Sequence, residues 1–154
     1  MGLFTNATKE SIKQDENKSA PDYFMSMDKV DIKTIKDVIT IDNIIIRIKN
    51  KIVKDENGKP VKDENGKFIF AVDFNKKPIL SALAFISFDD GKYFITTSRP
   101  IINQLKIIDP AVDFKMVGDY TVSGVKGNKV KISSMPVALP DGKEYEYPVF
   151  IDVE

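Results

Sequence analysis

The spacing of hydrophobic residues predicts a long strand early in the chain. Residues 38–53 are rich in isoleucine, and β-branched residues at this density are typical of a strand. Ile44, Ile46 and Ile48 lie on one face of such a strand. Arg47 and Lys49 lie on the other face. We expect the isoleucine face to be buried and the second face to form a surface for solvent or a ligand.

The strongest local pattern lies in residues 81–106. An apolar segment and a second segment rich in β-branched and aromatic residues flank an Asp-Gly turn at Gly91, which predicts a β-hairpin. Ser98 is a favourable N-cap, and Pro100 suits a first helical turn. Apolar residues then recur at helical spacing, so we expect a short helix that ends before Pro110.

A near-perfect octapeptide repeat separates the first strand from this hairpin. The copies are VKDENGKP at residues 53–60 and VKDENGKF at residues 61–68. Each Asn-Gly pair is a turn signal, and two copies are too few for a solenoid. The repeat therefore predicts an extended β-ribbon with a solvated tip.

The remaining segments predict fewer elements. Residues 119–135 predict a second hairpin with a glycine turn, and residues 147–153 predict a last strand. Residues 23–36 mix apolar and charged side chains, which leaves a short helix and an irregular strand as alternatives.

The two ends differ from the region between them. Residues 1–22 are mostly polar, with Leu3 and Phe4 as the one pair of large apolar residues, which predicts a flexible arm whose apolar tip mediates oligomerisation by docking on a neighbouring subunit. Residues 141–154 form an acidic C-terminal strand or tail. Residues 23–140 then form one domain, since 154 residues in all are typical of a single domain.

The composition excludes several classes of site. The chain has no histidine and no cysteine, which removes Ser-His-Asp triads, thiolate chemistry and cysteine zinc sites. No Gly-rich phosphate loop or nucleophile elbow is present. We expect a protein that is not an enzyme and has no cofactor or metal, although carboxylates that meet only in the fold leave a Mg²⁺ site or a hydrolase dyad open.

Charge and hydropathy add two expectations. The formal net charge is zero, so the overall basic footprint of many nucleic-acid-binding proteins is absent. No segment reaches the length of a membrane span, and the first residues lack the features of a signal peptide, so we expect a cytoplasmic protein.

The order of these elements fits a five-stranded Greek-key barrel with one short helix between its third and fourth strands, the oligonucleotide/oligosaccharide-binding (OB) fold. Four strand-like segments precede the helix, one more than this fold needs. The segments KYFITTSRPIINQLK and DYTVSGVKGNKVKISSM, within residues 81–135, resemble the small OB-fold single-stranded-DNA-binding proteins of phages and conjugative plasmids. The resemblance implies an oligomer that binds single strands with little sequence preference in replication or transfer of a mobile element.

Binding of this kind needs aromatic faces for base stacking and cations along the backbone. The aromatic candidates are Phe85, Phe88, Tyr93 and Tyr120. The cationic candidates are Arg47, Lys49, Lys92, Arg99, Lys126, Lys129 and Lys131. Each phenylalanine also fits a purely structural place in the core, because phenylalanine is often buried.

Two alternatives to single-stranded DNA remain open at this point. The partner is RNA in the first alternative. In the second, the chain is a protein-interaction module without nucleic-acid binding, such as an inhibitor, an assembly factor or a virion component of a phage or plasmid, which binds through strand addition and its arm.

Overall fold

The computed structural model describes residues 8–12, 20–89, 91–107 and 117–153 of the chain. Within these residues the strands are β1 (Thr8–Ile12), β2 (Asp28–Lys29), β3 (Ile39–Asn50), β4 (Leu80–Phe88), β5 (Lys92–Thr96), β6 (Gly118–Ser123), β7 (Lys129–Ala138) and β8 (Glu144–Asp152). The helices are α1 (Arg99–Ile107) and two short 3-10 helices, Asp22–Phe24 and Ile32–Thr34. The predicted mainly β class is therefore confirmed.

The centre of the sheet is β3, which pairs with three other strands. Its second half pairs antiparallel with β4 on one edge and with β6 on the other. The register shifts between Ile41 and Asn43, where a β-bulge lets the strand bend, and Ile39 and Thr40 pair with β7. The strand order is β1-β6-β3-β4-β5-β2, and the sheet curls into a half-barrel.

Both faces of this sheet are covered. Ile44, Ile46 and Ile48 share one face of β3, as their spacing predicts, and are buried in a hydrophobic core that we call the first core. Residues of α1 and Phe150 of β8 belong to the same core. Ile45 faces a second core, which is closed by Phe24 from the first 3-10 helix. The second face of β3 is thus covered by residues 20–27, whereas the sequence predicts an open surface there.

The helix α1 ties β8 to the first core. Leu105 is fully buried in that core. The side-chain N–H of Gln104 donates to the Phe150 carbonyl at 2.9 Å, and the Gln104 side-chain oxygen accepts the Phe150 N–H at 3.1 Å. Ser98 directly precedes α1, as the predicted N-cap does, and its hydroxyl donates to the Pro148 carbonyl at 2.5 Å. One face of α1 therefore covers the edge of β8.

The topology differs from the prediction in two respects. The described strands number eight rather than five, and residues 119–135 do not form a hairpin. No pairing joins β6 to β7 among the described strands, because the bulge in β3 lets both strands pair with β3 at successive points on one edge. In the chain, α1 follows the β4–β5 hairpin and precedes β6, where the sequence predicts a helix.

The N-terminal segment also differs from a wholly flexible arm. Thr8–Ile12 forms β1, which pairs antiparallel with β6 from Asp119 to Ser123. Leu3 and Phe4, the predicted oligomerisation residues, lie outside the described residues.

Candidate nucleic-acid interface

The aromatic side chains that the sequence predicts to stack on bases are buried. Phe85 is 1% exposed and Tyr93 is 8% exposed. The ring centroid of Phe24 lies 5.7 Å from that of Phe85 and 5.4 Å from that of Tyr93, so Phe24 covers both rings. Phe88 and Tyr120 belong to the first core. The four rings that the sequence assigns to a stacking surface are therefore all buried in the cores.

Arg47 is likewise occupied within the protein. Its guanidinium donates to the Asp119 carboxylate through Nε at 2.9 Å and through Nη2 at 3.2 Å. The same guanidinium lies 5.3 Å from the ring centroid of Phe85, and both charged side chains are buried. A planar guanidinium matches a carboxylate in this two-point manner, so Arg47 links β3 to β6 instead of facing a phosphate.

The other predicted cations are exposed but do not form one track. They are Lys49, Lys92, Arg99, Lys126, Lys129 and Lys131. Lys129 pairs with Thr40 and Lys92 pairs with Phe88, which places both lysines near the beginning of β3. Lys49 lies near the end of β3. Lys126, in the turn between β6 and β7, lies beside Asp42 near the beginning of β3 and is thus separated from Lys49 by most of the length of that strand.

Asp42 organises the polar groups at the beginning of β3. The hydroxyls of Tyr23 and Ser87 donate to the same carboxylate oxygen of Asp42, at 2.6 and 2.9 Å. The Lys126 ammonium lies 3.9 Å from the other oxygen and is 83% exposed. The hydrogen bond to Asp42, followed by partial burial and the Asp42 charge, raises the pKa of Tyr23 above its ordinary value of 10.0. This cluster fixes the first 3-10 helix against the bulge in β3.

A different surface emerges from the connection between β3 and β4, which we call the hairpin ribbon (residues 51–79). It contains three short hairpins, spanning residues 53–61, 61–69 and 71–79. The first two correspond to the octapeptide repeat. The third, with the sequence AVDFNKKPI, is a further and more divergent copy, because four of its eight repeat positions differ from the first copy. Its retained Asp-x-Asn-x-Lys spacing is the signal that identifies it.

The three turns have the same hydrogen bonds. Asp55 accepts the backbone N–H groups of Asn57 and Lys59 at 2.9 and 3.0 Å. Asp63 makes the equivalent bonds at 2.9 and 3.0 Å, and Asp73 makes them at 2.8 and 3.0 Å. The aspartates thus hold each turn closed, which is the structural role that an aspartate at the start of a turn commonly has.

Two rings of backbone hydrogen bonds join the hairpins. In the outer ring Val53 donates to Ile69 at 2.8 Å, Ile69 to Val61 at 3.1 Å, and Val61 to Val53 at 2.9 Å. The inner ring closes in the same way, with N–H to O distances of 2.7 to 3.1 Å, through Lys51, Ala71 and Ile79. Each ring is a three-way junction of β-ribbons, so the branches are tied to one another and to the end of the β3–β4 pair.

The hairpin ribbon exposes three phenylalanine side chains, whereas the four aromatic residues that the sequence predicts for stacking are buried. Phe68 is 45% exposed, Phe70 is 50% exposed and Phe74 is 95% exposed. The Lys62 ammonium lies 5.3 Å from the ring centroid of Phe68. The segment also carries seven lysines: Lys51, Lys54, Lys59, Lys62, Lys67, Lys76 and Lys77. Exposed rings beside ammonium groups form the combination that the sequence predicts, at positions other than those it predicts.

Among the described residues, no three His, Cys, Asp or Glu side chains come together as a metal site, and no helix there is long and apolar enough to cross a membrane. No family model, curated protein or solved structure matches this chain.

Proposed function

We propose that the protein binds single-stranded DNA without catalysis and with little sequence preference, and that the hairpin ribbon is its contact surface. The observation that supports this proposal is the exposure of Phe68, Phe70 and Phe74 on a segment with seven lysines. Unpaired bases stack on exposed aromatic faces, and lysines attract the phosphate backbone. Large exposed apolar patches on soluble domains also commonly mark binding surfaces.

The position of the ribbon also supports the proposal. In OB folds the connection between the first two strands is one of the loops that contact oligonucleotides. The hairpin ribbon has the equivalent position if β3 and β4 are taken as those two strands. Its five acids reduce the local charge, but Asp55, Asp63 and Asp73 are engaged by backbone N–H groups in the turns.

A protein-interaction module is the second candidate, and a separate feature favours it. The strand β7 pairs with β3 only through Val130 and Lys129, and otherwise pairs with β8 among the described strands. Its other edge therefore presents backbone groups to which a partner strand can be added. The β7–β8 pair also carries exposed apolar residues, including Met135 and Tyr145, which a protein partner could cover.

Fluorescence anisotropy distinguishes the two candidates. The probes are a labelled single strand of about 30 nucleotides, which exceeds the footprint of one OB-type domain, and the matching duplex. We expect preferential binding of the single strand and a loss of affinity as salt rises from about 50 to 200 mM, because bound lysines release counterions from the phosphates.

Two variants locate the contact within the full chain. Replacing Phe70→Ala should weaken binding by about 5- to 150-fold if the ring stacks on a base, since a stacked base contributes about 1–3 kcal/mol. The exposed Tyr145 lies on β8, outside the ribbon, so Tyr145→Ala is the matched control and should leave the affinity unchanged. Absence of binding to either probe at low salt would refute the DNA proposal and favour the protein-interaction module.

A further inference from the structure

The third hairpin differs from the other two at its tip while keeping their backbone. In each turn the second residue is exposed, and it is Glu56, Glu64 or Phe74. The N–H of the fourth residue donates to the carbonyl of the aspartate at 3.0, 3.0 and 2.9 Å in the three hairpins. The change from glutamate to phenylalanine is therefore a change of side chain on an unchanged frame.

The charge of the tip changes sign together with this substitution. Residues 55–59 and residues 63–67 each contain two acids and one lysine, which gives each of these tips a charge of −1. Residues 73–77 contain one acid and two lysines, which gives the third tip a charge of +1. The third tip alone among these three thus combines an exposed ring with an excess of positive charge.

Lys76, which replaces the glycine of the other two turns, has a strained backbone conformation. Gly58 and Gly66 have φ angles of +78° and +77°, which glycine adopts without cost. Lys76 has the equivalent place with φ of +62°, a left-handed conformation that costs a residue with a side chain about 1–2 kcal/mol. A strained residue where its two counterparts are glycine points to a use for the lysine side chain.

We propose that the tip of the third hairpin binds one nucleotide unit of the strand, with an unpaired base on the Phe74 ring and the adjoining phosphates on Lys76 and Lys77. Phe74 is 95% exposed, so the whole ring is available for stacking. The first and second hairpins, with acidic tips, position the third one through the two hydrogen-bond rings. This inference rests on the proposed function and assigns the contact to one branch of the ribbon.

The test converts the third tip to the sequence of the other two. The double variant Phe74→Glu, Lys76→Gly keeps the turn hydrogen bonds and removes the strained conformation, so it should fold as the parent does. We expect the affinity of the double variant for the labelled single strand to be about 5- to 150-fold lower than that of the parent, because one stacked base is lost. The slope of log K against log salt should fall by about 0.7, the value for one phosphate contact on a single strand.

Two controls separate this inference from the general proposal. Phe74→Tyr retains an aromatic face and should bind within a few-fold of the parent, whereas Glu56→Gln alters the equivalent tip of the first hairpin and should have little effect. If the parent binds the single strand and the double variant binds it equally well, the assignment to the third hairpin is wrong while the proposed function stands. If the parent does not bind the strand, both fail.

Discussion

At the scale of single residues, burial decides which charges and rings can act outside the molecule. Arg47 and Phe85 have the residue types that nucleic-acid contacts need, yet Arg47 is paired with Asp119 and stacked on Phe85 within the second core. Phe74 has the same chemistry as Phe85 but sits at the tip of a hairpin. The residue types predict the kind of contact, and the surroundings decide where it can occur.

The Arg47–Asp119 pair gives a prediction about stability. Asp119→Ala leaves a buried guanidinium without its carboxylate, so we expect the free energy of unfolding to fall by about 3–5 kcal/mol in urea denaturation. The pair of Lys126 with Asp42, in which the lysine is 83% exposed, is the control, since Lys126→Ala should cost at most about 1 kcal/mol. A loss below about 1 kcal/mol for Asp119→Ala would mean that the buried pair contributes no more than the exposed one.

Tyr23 predicts a dependence of stability on alkaline pH. Because the hydrogen bond to Asp42 raises its pKa in the folded protein above 10.0, the folded state binds the phenolic proton more tightly than the unfolded state does. The resulting stabilisation is complete below pH 10.0 and is lost as pH rises through the folded pKa. We therefore expect the parent to lose more stability than Tyr23→Phe between about pH 9 and pH 11, measured by urea denaturation. Equal losses in the two proteins would contradict this linkage.

At the scale of elements, a side chain of α1 makes the hydrogen bonds that a neighbouring strand would make to the edge of β8. The Gln104 side chain donates to and accepts from the backbone of Phe150, as a neighbouring peptide group would. The bonds place α1 along the edge of β8 and cover it. Covered edges protect a sheet against pairing with other chains.

This arrangement makes the edge of β8 sensitive to one residue. Gln104→Ala removes both hydrogen bonds, so we expect a loss of about 1–3 kcal/mol in the free energy of unfolding and faster hydrogen exchange at the Phe150 amide. Asn103→Ala, at an exposed position of the same helix, should change neither quantity by a comparable amount. Unchanged exchange at Phe150 in the Gln104 variant would show that these bonds do not hold the edge.

At the scale of the whole molecule, the chain divides into a packed sheet and a projecting ribbon. All of residues 51–79 are described, and none of them belongs to the buried core. The two cores consist of residues from the strands, α1, the segment that carries Phe24 and Val125 of the β6–β7 turn. Stability and the proposed binding surface therefore reside in different parts of the chain.

This division predicts that one repeat can be deleted. Removing residues 61–68 brings Ile69 into the place of Val61 opposite Val53, which keeps the Ile52–Phe70 and Lys54–Pro60 bridges in register. We expect the free energy of unfolding to stay within about 1 kcal/mol of the parent, because no buried residue is lost. Circular dichroism and urea denaturation test this, and collapse of the sheet signal after the deletion would show that the ribbon is part of the folding core.

The sequence by itself determined the elements whose signals are local. The isoleucine period predicts β3 and its buried face, the Asp-Gly turn predicts the β4–β5 hairpin, and apolar spacing after Ser98 predicts α1. These signals suffice because strand alternation, turn geometry and helix periodicity depend on neighbours within a few residues. The octapeptide repeat likewise predicts the first two hairpins of the ribbon.

Only the tertiary structure decided that both faces of β3 are covered and which aromatic residues are exposed. Nothing in the pattern of residues 20–27 indicates that Phe24 packs on Phe85, because that contact joins segments about sixty residues apart through shape and burial. The same holds for Arg47 and Asp119, which meet because β6 pairs with β3. The third hairpin is recognised from its backbone hydrogen bonds, which match those of the repeat although four of its eight side chains differ from the first copy.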